Sequence, residues 1–411
     1  MDALTLAMLK LAVLFAVIII ALKCKLKLFM AIGIATVLCA LLYQIPLAVS
    51  GQLLMKTVTS WDTIQVLLIL YCITFLQRML ERRSQLKLAQ QDLDHIFHNR
   101  RINATVAPML IGLLPSAAAA IICGEIVNEA VGDSLDIDEK ATVTSYFRHI
   151  PESFLPTYSA IIIMCDLSGV PIGSFFLGML PLVAVLYTLG YFFYIRKVPR
   201  TVEGDPGAAV DDRTKGQYFL QLVKHLWTLI VIVTLIMVFN FSVLQATGAV
   251  ILVAWFTYRF KPQDLGPLMI SAFEKVMITN TFLVYVFKNF LTYTGVVNQL
   301  PEFLGRFPVP PFVIFALIFF FGALVAGSRA IITICTPIAF ATIPTGGWQL
   351  MVLLHSFSYA AMQVSPTHVC LTVVADHFRS SLGGMVKKTA PIIVPYAFIV
   401  MAYYLMTSTI F

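Results

Sequence analysis

Phe154-Leu155-Pro156-Thr157-Tyr158-Ser159 interrupts one apolar stretch of this 411-residue chain, and Val364-Ser365-Pro366-Thr367-His368 interrupts another, the two Pro-Thr pairs standing 210 positions apart. The same offset, kept without a gap, sets Gly112 against Gly322, Ala120-Ile121-Ile122 against Ala330-Ile331-Ile332, Asp166 against Asp376, Gly173 against Gly383 and Pro181 against Pro391. Residues 112–181 thus run parallel to 322–391 as two versions of one module. An apolar protein made of two such modules is the usual architecture of a secondary transporter, which binds cargo where the modules meet.

Composition sets the solvent. The chain is 59% hydrophobic and 12% charged, with a mean hydropathy of +0.88, whereas soluble domains carry about 25% charged residues. Its apolar runs reach roughly 20 residues, the length that crosses a hydrocarbon core, and the alternating strands of an outer-membrane barrel are absent. The expected fold class is therefore an all-α polytopic membrane protein. Lys10 interrupts the first apolar run and no small-residue cleavage site follows it, so residues 4–22 read as a retained span. The net charge of +7 is gathered in short clusters beside apolar runs, as topology determinants are, which excludes a nucleic-acid partner. Seven scattered cysteines without a CxxC pair read as small buried side chains.

Spans are expected near 4–22, 28–48 and 63–81, then a broken stretch at 105–131, then 140–168 and 171–194. After a polar linker come 218–238, 242–259 and 270–293, a broken stretch at 309–343, then 346–378 and 389–411. This divides the chain into a scaffold part of the first repeat (1–104), its transport part (105–195), a linker (196–217), and the scaffold (218–308) and transport (309–411) parts of the second repeat. Basic residues follow span one (Lys23, Lys25, Lys27) and span three (Arg78, Arg82, Arg83, Lys87), fill the linker (Arg196, Lys197, Arg200), and precede the last span (Lys387, Lys388). All fall on one side if each repeat makes five crossings plus a re-entrant hairpin, which puts both termini outside and inverts one repeat relative to the other. Leu86, Leu88, Leu93, Ile96 and Phe97 alternate with charges at helical spacing in 82–104, the pattern of an interfacial arm on the cytoplasmic face; 294–308 is its counterpart.

The breaks carry the chemistry. Gly112-Leu-Leu-Pro115-Ser116 precedes a run of alanines, and Ala326-Gly327-Ser328-Arg329 holds the matching place in the second repeat. Proline and tiny residues let backbone unwind at membrane depth, where it survives only against protein or a water-filled cavity. Arg329 stands alone among apolar and small residues. Unpaired, it costs at least about 2.5–3.5 kcal/mol in the membrane, so its partner is a fixed carboxylate such as Asp376 or an anionic cargo. After each Pro-Thr break a new helix offers free amides and a positive dipole end, with hydroxyls beside them. Ser116, Thr157, Ser328, Arg329 and Thr367 are therefore the candidate anion-binding residues, with Arg148 and His368 as further members. Glu125, Asn128 and Glu129 share one helical face and are candidates for a coupling cation, or simply solvate the hairpin. HExxH, GxSxG and P-loop signatures are missing, so no enzyme, metal site or cofactor is expected.

Gly112-Leu-Leu-Pro115, Tyr146-Phe147-Arg148-His149, Pro156-Thr157-Tyr158 and Ser365-Pro366-Thr367-His368-Val369-Cys370-Leu371 together resemble the prokaryotic membrane family called domain of unknown function 401. That family is grouped in the ion transporter superfamily with gluconate permeases and divalent-anion/sodium symporters. The resemblance covers nearly the whole chain. It implies two inverted repeats of five transmembrane helices, each with a re-entrant hairpin and an unwound helix. It also implies an elevator motion against a homodimeric scaffold, in the cytoplasmic membrane of a prokaryote. Ser116 and alanines replace the paired glycines of gluconate permeases, and the Ser-Asn-Thr motifs of the divalent-anion symporters are absent; gluconate specificity and sodium sites are therefore not carried over. The combined expectation is a cation-coupled transporter of a small organic anion, with sodium or a proton as coupling ion and membrane lipid and a second copy as partners. Three alternatives stay open: a cation/proton antiporter using Glu125, Glu129 and Asp166; an intramembrane enzyme holding a lipid-linked anion on Arg329, His368 and His149; and a passive channel.

Overall fold

The computed structural model describes residues 2–97, 99–113, 117–200, 214–365 and 368–410, and among these every regular element is helical. The first series runs α1 (Ala3–Lys23), α2 (Leu28–Leu42), α3 (Leu47–Thr59), α4 (Trp61–Arg82), α5 (Gln85–Phe97), α6 (Arg100–Ile111), α7 (Ala117–Val131), α8 (Ile137–His149), α9 (Ser159–Ser168) and α10 (Ile172–Phe193). The second runs α11 (Lys215–Met237), α12 (Val243–Thr257), α13 (Pro262–Ala272), α14 (Lys275–Thr294), α15 (Leu300–Leu304), α16 (Pro311–Ala326), α17 (Ser328–Thr342), α18 (Gly347–Met362), α19 (Val369–Phe378) and α20 (Leu382–Ile410). The two series correspond helix for helix, and α9 and α19 are displaced by the same 210 residues at both ends.

Five helices (α1, α4, α10, α11, α20) are long and apolar enough to cross a membrane, and α13 with α14, bent by 50° at a short break, forms a sixth candidate. Phe256, Ile270 and Phe398 stand 78%, 79% and 73% exposed, a surface that water does not tolerate over such an extent and lipid does. The chain is a multi-pass membrane protein.

Two expected spans are shorter or broken. In place of 28–48, α2 stops at Leu42 and α3 restarts after Pro46, because the residue before a proline is driven out of the α region; Gln44 there takes a positive φ of 52°. In place of 270–293, a bend at Phe273 and Glu274 separates α13 from α14. The arm at 82–104 is helical, as α5, but its apolar face is not laid on lipid. Leu86, Ala89, Leu93 and Ile96 are buried where α5 packs along α11, and the His225 imidazole meets the Asp92 carboxylate at 2.6 Å across that contact.

Packing sorts the helices into two groups. In one, α2 and α3 lie on α14, α12 and α13 on α4, and α5 on α11. In the other, the two series interlock: α7 of the first packs on α19 of the second while α17 packs on α9, and α8 meets α20 while α18 meets α10. Few contacts join the groups; one is the Tyr285 hydroxyl of α14, which donates to Asp166 at the end of α9.

At the centre of the second group lies α8. A capping box starts it, Asp136 Oδ1 accepting from the Glu139 amide at 2.8 Å while Glu139 accepts from the Asp136 amide. Lys388 reaches Asp136 at 2.6 Å and Lys197 reaches Glu139 at 2.8 Å. Partial burial works against ionising Asp136, yet the Lys388 hydrogen bond holds its carboxyl below the usual range. From there to its end α8 is buried almost throughout, including Thr144, Ser145, Arg148 and His149. Its last turn meets the first repeat's own break, where a methyl group on Gly112 would stand 2.0 Å from the Arg148 carbonyl oxygen.

That approach permits only hydrogen at position 112. Gly112→Ala is expected to lower the thermal unfolding midpoint, overpacking of this kind costing about 1–3 kcal/mol. Gly383→Ala, where a methyl meets open space, is expected not to lower it; equal midpoints for the two variants in detergent would disprove the tight contact.

Candidate functional site

A cavity of about 370 Å³ opens where the breaks converge, lined among others by Glu152, Tyr158, Ser159, Ser328, Arg329, His355, Ser365, His368 and Cys370. Both repeats contribute to it. Its walls are the connection from α8 into α9, the ends of α16 and α18, and the starts of α9, α17 and α19.

Three helices begin at this cavity, and none of them has a side-chain cap: α9 after Tyr158, α17 after Gly327 and α19 after His368. Capping boxes close other starts, Asp136 with Glu139 on α8, Thr214 with Gln217 on α11 and Ser242 with Gln245 on α12, while α2, α4 and α10 also begin without a side-chain cap. What distinguishes α9, α17 and α19 is that their starts meet at one cavity. An uncapped start leaves amide donors and the positive end of the helix dipole facing whatever fills the space. The sequence causes this locally. Gly327 takes φ 85° and ψ 148°, a conformation open essentially to glycine alone, so α16 ends and α17 begins across a single residue.

Side chains hold the breaks together. Ser328 Oγ lies 2.6 Å from Ser358 Oγ on α18, Ser365 Oγ donates to the Leu324 carbonyl at 3.2 Å, and the Tyr158 hydroxyl donates to the Gly112 carbonyl. Behind the lining, Arg148 is completely buried, and its guanidinium lies 3.0 Å from His149 Nε2. His149 Nδ1 lies 2.5 Å from the Ser145 carbonyl oxygen, and His368 Nε2 lies 2.9 Å from His149 Nε2. These contacts fix the protons. A carbonyl only accepts and a guanidinium only donates, so His149 is neutral, protonated on Nδ1, with its Nε2 lone pair receiving both Arg148 and His368. The chain Arg148 to His149 to His368 ties α8 of the first repeat to the break of the second.

His149, His368 and Cys370 hold their ligand atoms within 4.8 Å of one another, close enough for a metal ion. Arg148, however, already donates into the imidazole lone pair that a metal needs, and its charge repels a cation. The donor set suits anion recognition instead.

The sequence-derived candidates distribute as follows. Ser328, Arg329 and His368 line the cavity. Arg329 is exposed on the first turn of α17, and no ion pair joins it to a described carboxylate, Asp376 included. Arg148 stands one layer behind the lining. Thr157 faces a separate small crevice with Leu76, Leu80, Leu86, Leu113 and Leu229 rather than the cavity, because the connection turns Tyr158 and Ser159 inward instead. Ser116 and Thr367 lie outside the described residues. Glu125, Asn128 and Glu129 are exposed on α7, away from the cavity, with Asn128 Oδ1 accepting from Lys140 at 2.9 Å. Asp166 meets Tyr285 at the junction of the two helix groups.

Sequence reasoning missed Glu152, Tyr158, His355 and Cys370 as lining residues. Tyr158 carried a usable signal, since the 210-residue offset sets it against His368. His355-Ser356-Phe357-Ser358-Tyr359 likewise put polar groups on all sides of a helix that is buried throughout.

A family described as protein of unknown function (DUF401) matches residues 7–406, and the chain belongs to that family. Among solved structures it is similar to the Alcanivorax borkumensis YdaH transporter, with 12% identity, 85% of each chain covered and a TM-score of 0.49. No match is found among the curated proteins.

A cysteine placed at Ser328 is expected to react with a water-soluble thiol reagent and to be shielded by a bound anion, on a background with Cys370 replaced by serine. A cysteine at Thr157 is expected to show no such shielding. Protection at 157 without protection at 328, read by mass spectrometry, would relocate the site.

Proposed function

We propose that the protein is a secondary active transporter of a small organic anion, a carboxylate, coupled to a cation and working across the cytoplasmic membrane of a prokaryote. One observation carries this reading: three helix starts without a side-chain cap and Arg329, which no described carboxylate pairs, converge on one cavity. Amide donors at helix starts bind anions with little reorganisation, and an arginine adds a charge-assisted, two-pronged contact to a carboxylate. About 370 Å³ falls within the range of small-molecule sites.

The helix-for-helix correspondence of the two series and their reciprocal packing support two repeats of one module. With an odd number of crossings each, as the basic clusters imply, the repeats insert in opposite senses. The sparse contact between the two helix groups supports the elevator scheme, in which α6–α10 and α16–α20 move against the remainder and a second copy steadies the scaffold. Coupling supplies the drive: each net positive charge crossing 100 mV contributes about 2.3 kcal/mol, about fiftyfold accumulation.

Arg329→Ala is expected to weaken binding of the carboxylate found by thermal-shift screening of small acids roughly ten- to hundredfold, the worth of a charge-assisted hydrogen bond. Uptake into proteoliposomes is expected to fall with it, and Arg329→Lys to recover part of the loss. Normal affinity and uptake in Arg329→Ala would refute the anion site.

A further inference from the structure

Glu152 is the one carboxylate among the described residues that lines the cavity. It belongs to the short 3-10 turn Ile150–Ser153 that follows α8, and no hydrogen bond from a described residue fixes its carboxylate. Arg329 on α17 lines the same cavity, and Arg148 stands in the last turn of α8, four residues before it. His149 Nε2 stands 3.9 Å from its Oε1. The other titratable groups on the surrounding walls are Tyr158 before α9, His355 and Tyr359 on α18, and His368 and Cys370 at the start of α19.

Arg148, Arg329, His149 and His368 do not exchange a proton with the cavity. Arginine stays charged. His149 donates from Nδ1 to a carbonyl and receives Arg148 and His368 on Nε2, so protonating it breaks both contacts. His368 gives its Nε2 proton to His149 and is held by that contact. Glu152 alone combines an ionisable carboxyl, freedom from fixed partners and a position beside the arginines that an anionic cargo needs.

We infer that Glu152 is the proton-binding group that couples cargo to a proton gradient. This rests on the anion site proposed above. In the empty carrier ionised Glu152 serves as the counter-charge of Arg148 and Arg329. An entering carboxylate takes over the arginines, and its negative charge beside Glu152 makes the side chain take up one proton. One anion and one proton enter together, so the site keeps the same net charge empty and loaded, and for a monoanion this step draws on the pH difference; the membrane potential adds drive only where a further cation enters. Linkage makes the effect mutual: the anion raises the affinity for the proton and the proton raises the affinity for the anion by the same factor.

The test is an infrared titration of the purified protein in lipid nanodiscs, reading the carboxyl band that Glu152→Gln removes. Two changes are expected to raise the pH midpoint of that band by about one unit or more: Arg329→Ala, which deletes a facing charge, and carbon-13 acetate at saturating concentration, the smallest carboxylate probe. Acetate is expected to lose this effect in Arg329→Ala. Glu152→Asp is expected to keep a titrating band, and matching thermal midpoints for the Gln, Asp and parent proteins establish that the fold is intact. Absence of a Glu152-dependent band, a midpoint unmoved by acetate, or an acetate effect that persists without Arg329 each overturns the inference. If acetate leaves the midpoint in place while a carboxylate still stabilises the parent protein but not Arg329→Ala, the coupling group is wrong and the anion site stands. If Arg329→Ala responds to every carboxylate as the parent does, the anion site itself is wrong.

Discussion

Backbone that starts or stops inside a membrane must find partners for its amides and carbonyls, because the lipid around it offers none. Most of this structure answers that requirement. Where α9, α17 and α19 begin, no side chain caps them, and their donors can be satisfied only inside a protein-walled space. The reciprocal packing of α7 on α19 and α17 on α9 builds that space, each repeat closing the gap the other leaves. The cavity is thus the place where two modules pool their unpaired helix ends.

Polar side chains follow the same logic. α8 carries threonines, a serine, an arginine and a histidine into a buried position, where Thr144 returns its hydroxyl to the Lys140 carbonyl and His149 binds the Ser145 carbonyl and Arg148. The contacts among Arg148, His149 and His368 hold a buried positive charge behind the pocket. Gly112 allows the first break to touch the Arg148 carbonyl directly, so the geometry of the break and of the charge are set by one contact.

Much of this was legible in the chain. The 210-residue offset, Pro156 with Pro366, and Gly327 beside Arg329 located the breaks, because proline and glycine impose backbone consequences that no tertiary contact removes. Arg329 was legible because a charge in an apolar run needs a reason. Other features were not. Which of Thr157 and Tyr158 turns inward depends on the path of the short 3-10 turn before them, a matter of a few dihedral angles that residue types do not encode. Glu152 drew no role of its own from the sequence; only the fold sets it in the cavity wall with Arg329. The amphipathic stretch of α5 showed an apolar stripe but not its partner, and α11 takes the place assigned to lipid.

The repeat is a property of the backbone more than of the pocket. Arg329 corresponds by the offset to Ala119, Glu152 to Met362, Tyr158 to His368, and Arg148 to Ser358. On the proposed duplication, the two halves share a frame but differ in equipment, Arg329 standing in the second and Arg148 with Glu152 in the first. A guest in such a frame has one orientation rather than two equivalent ones, and the occupancy expected is a single molecule for each chain.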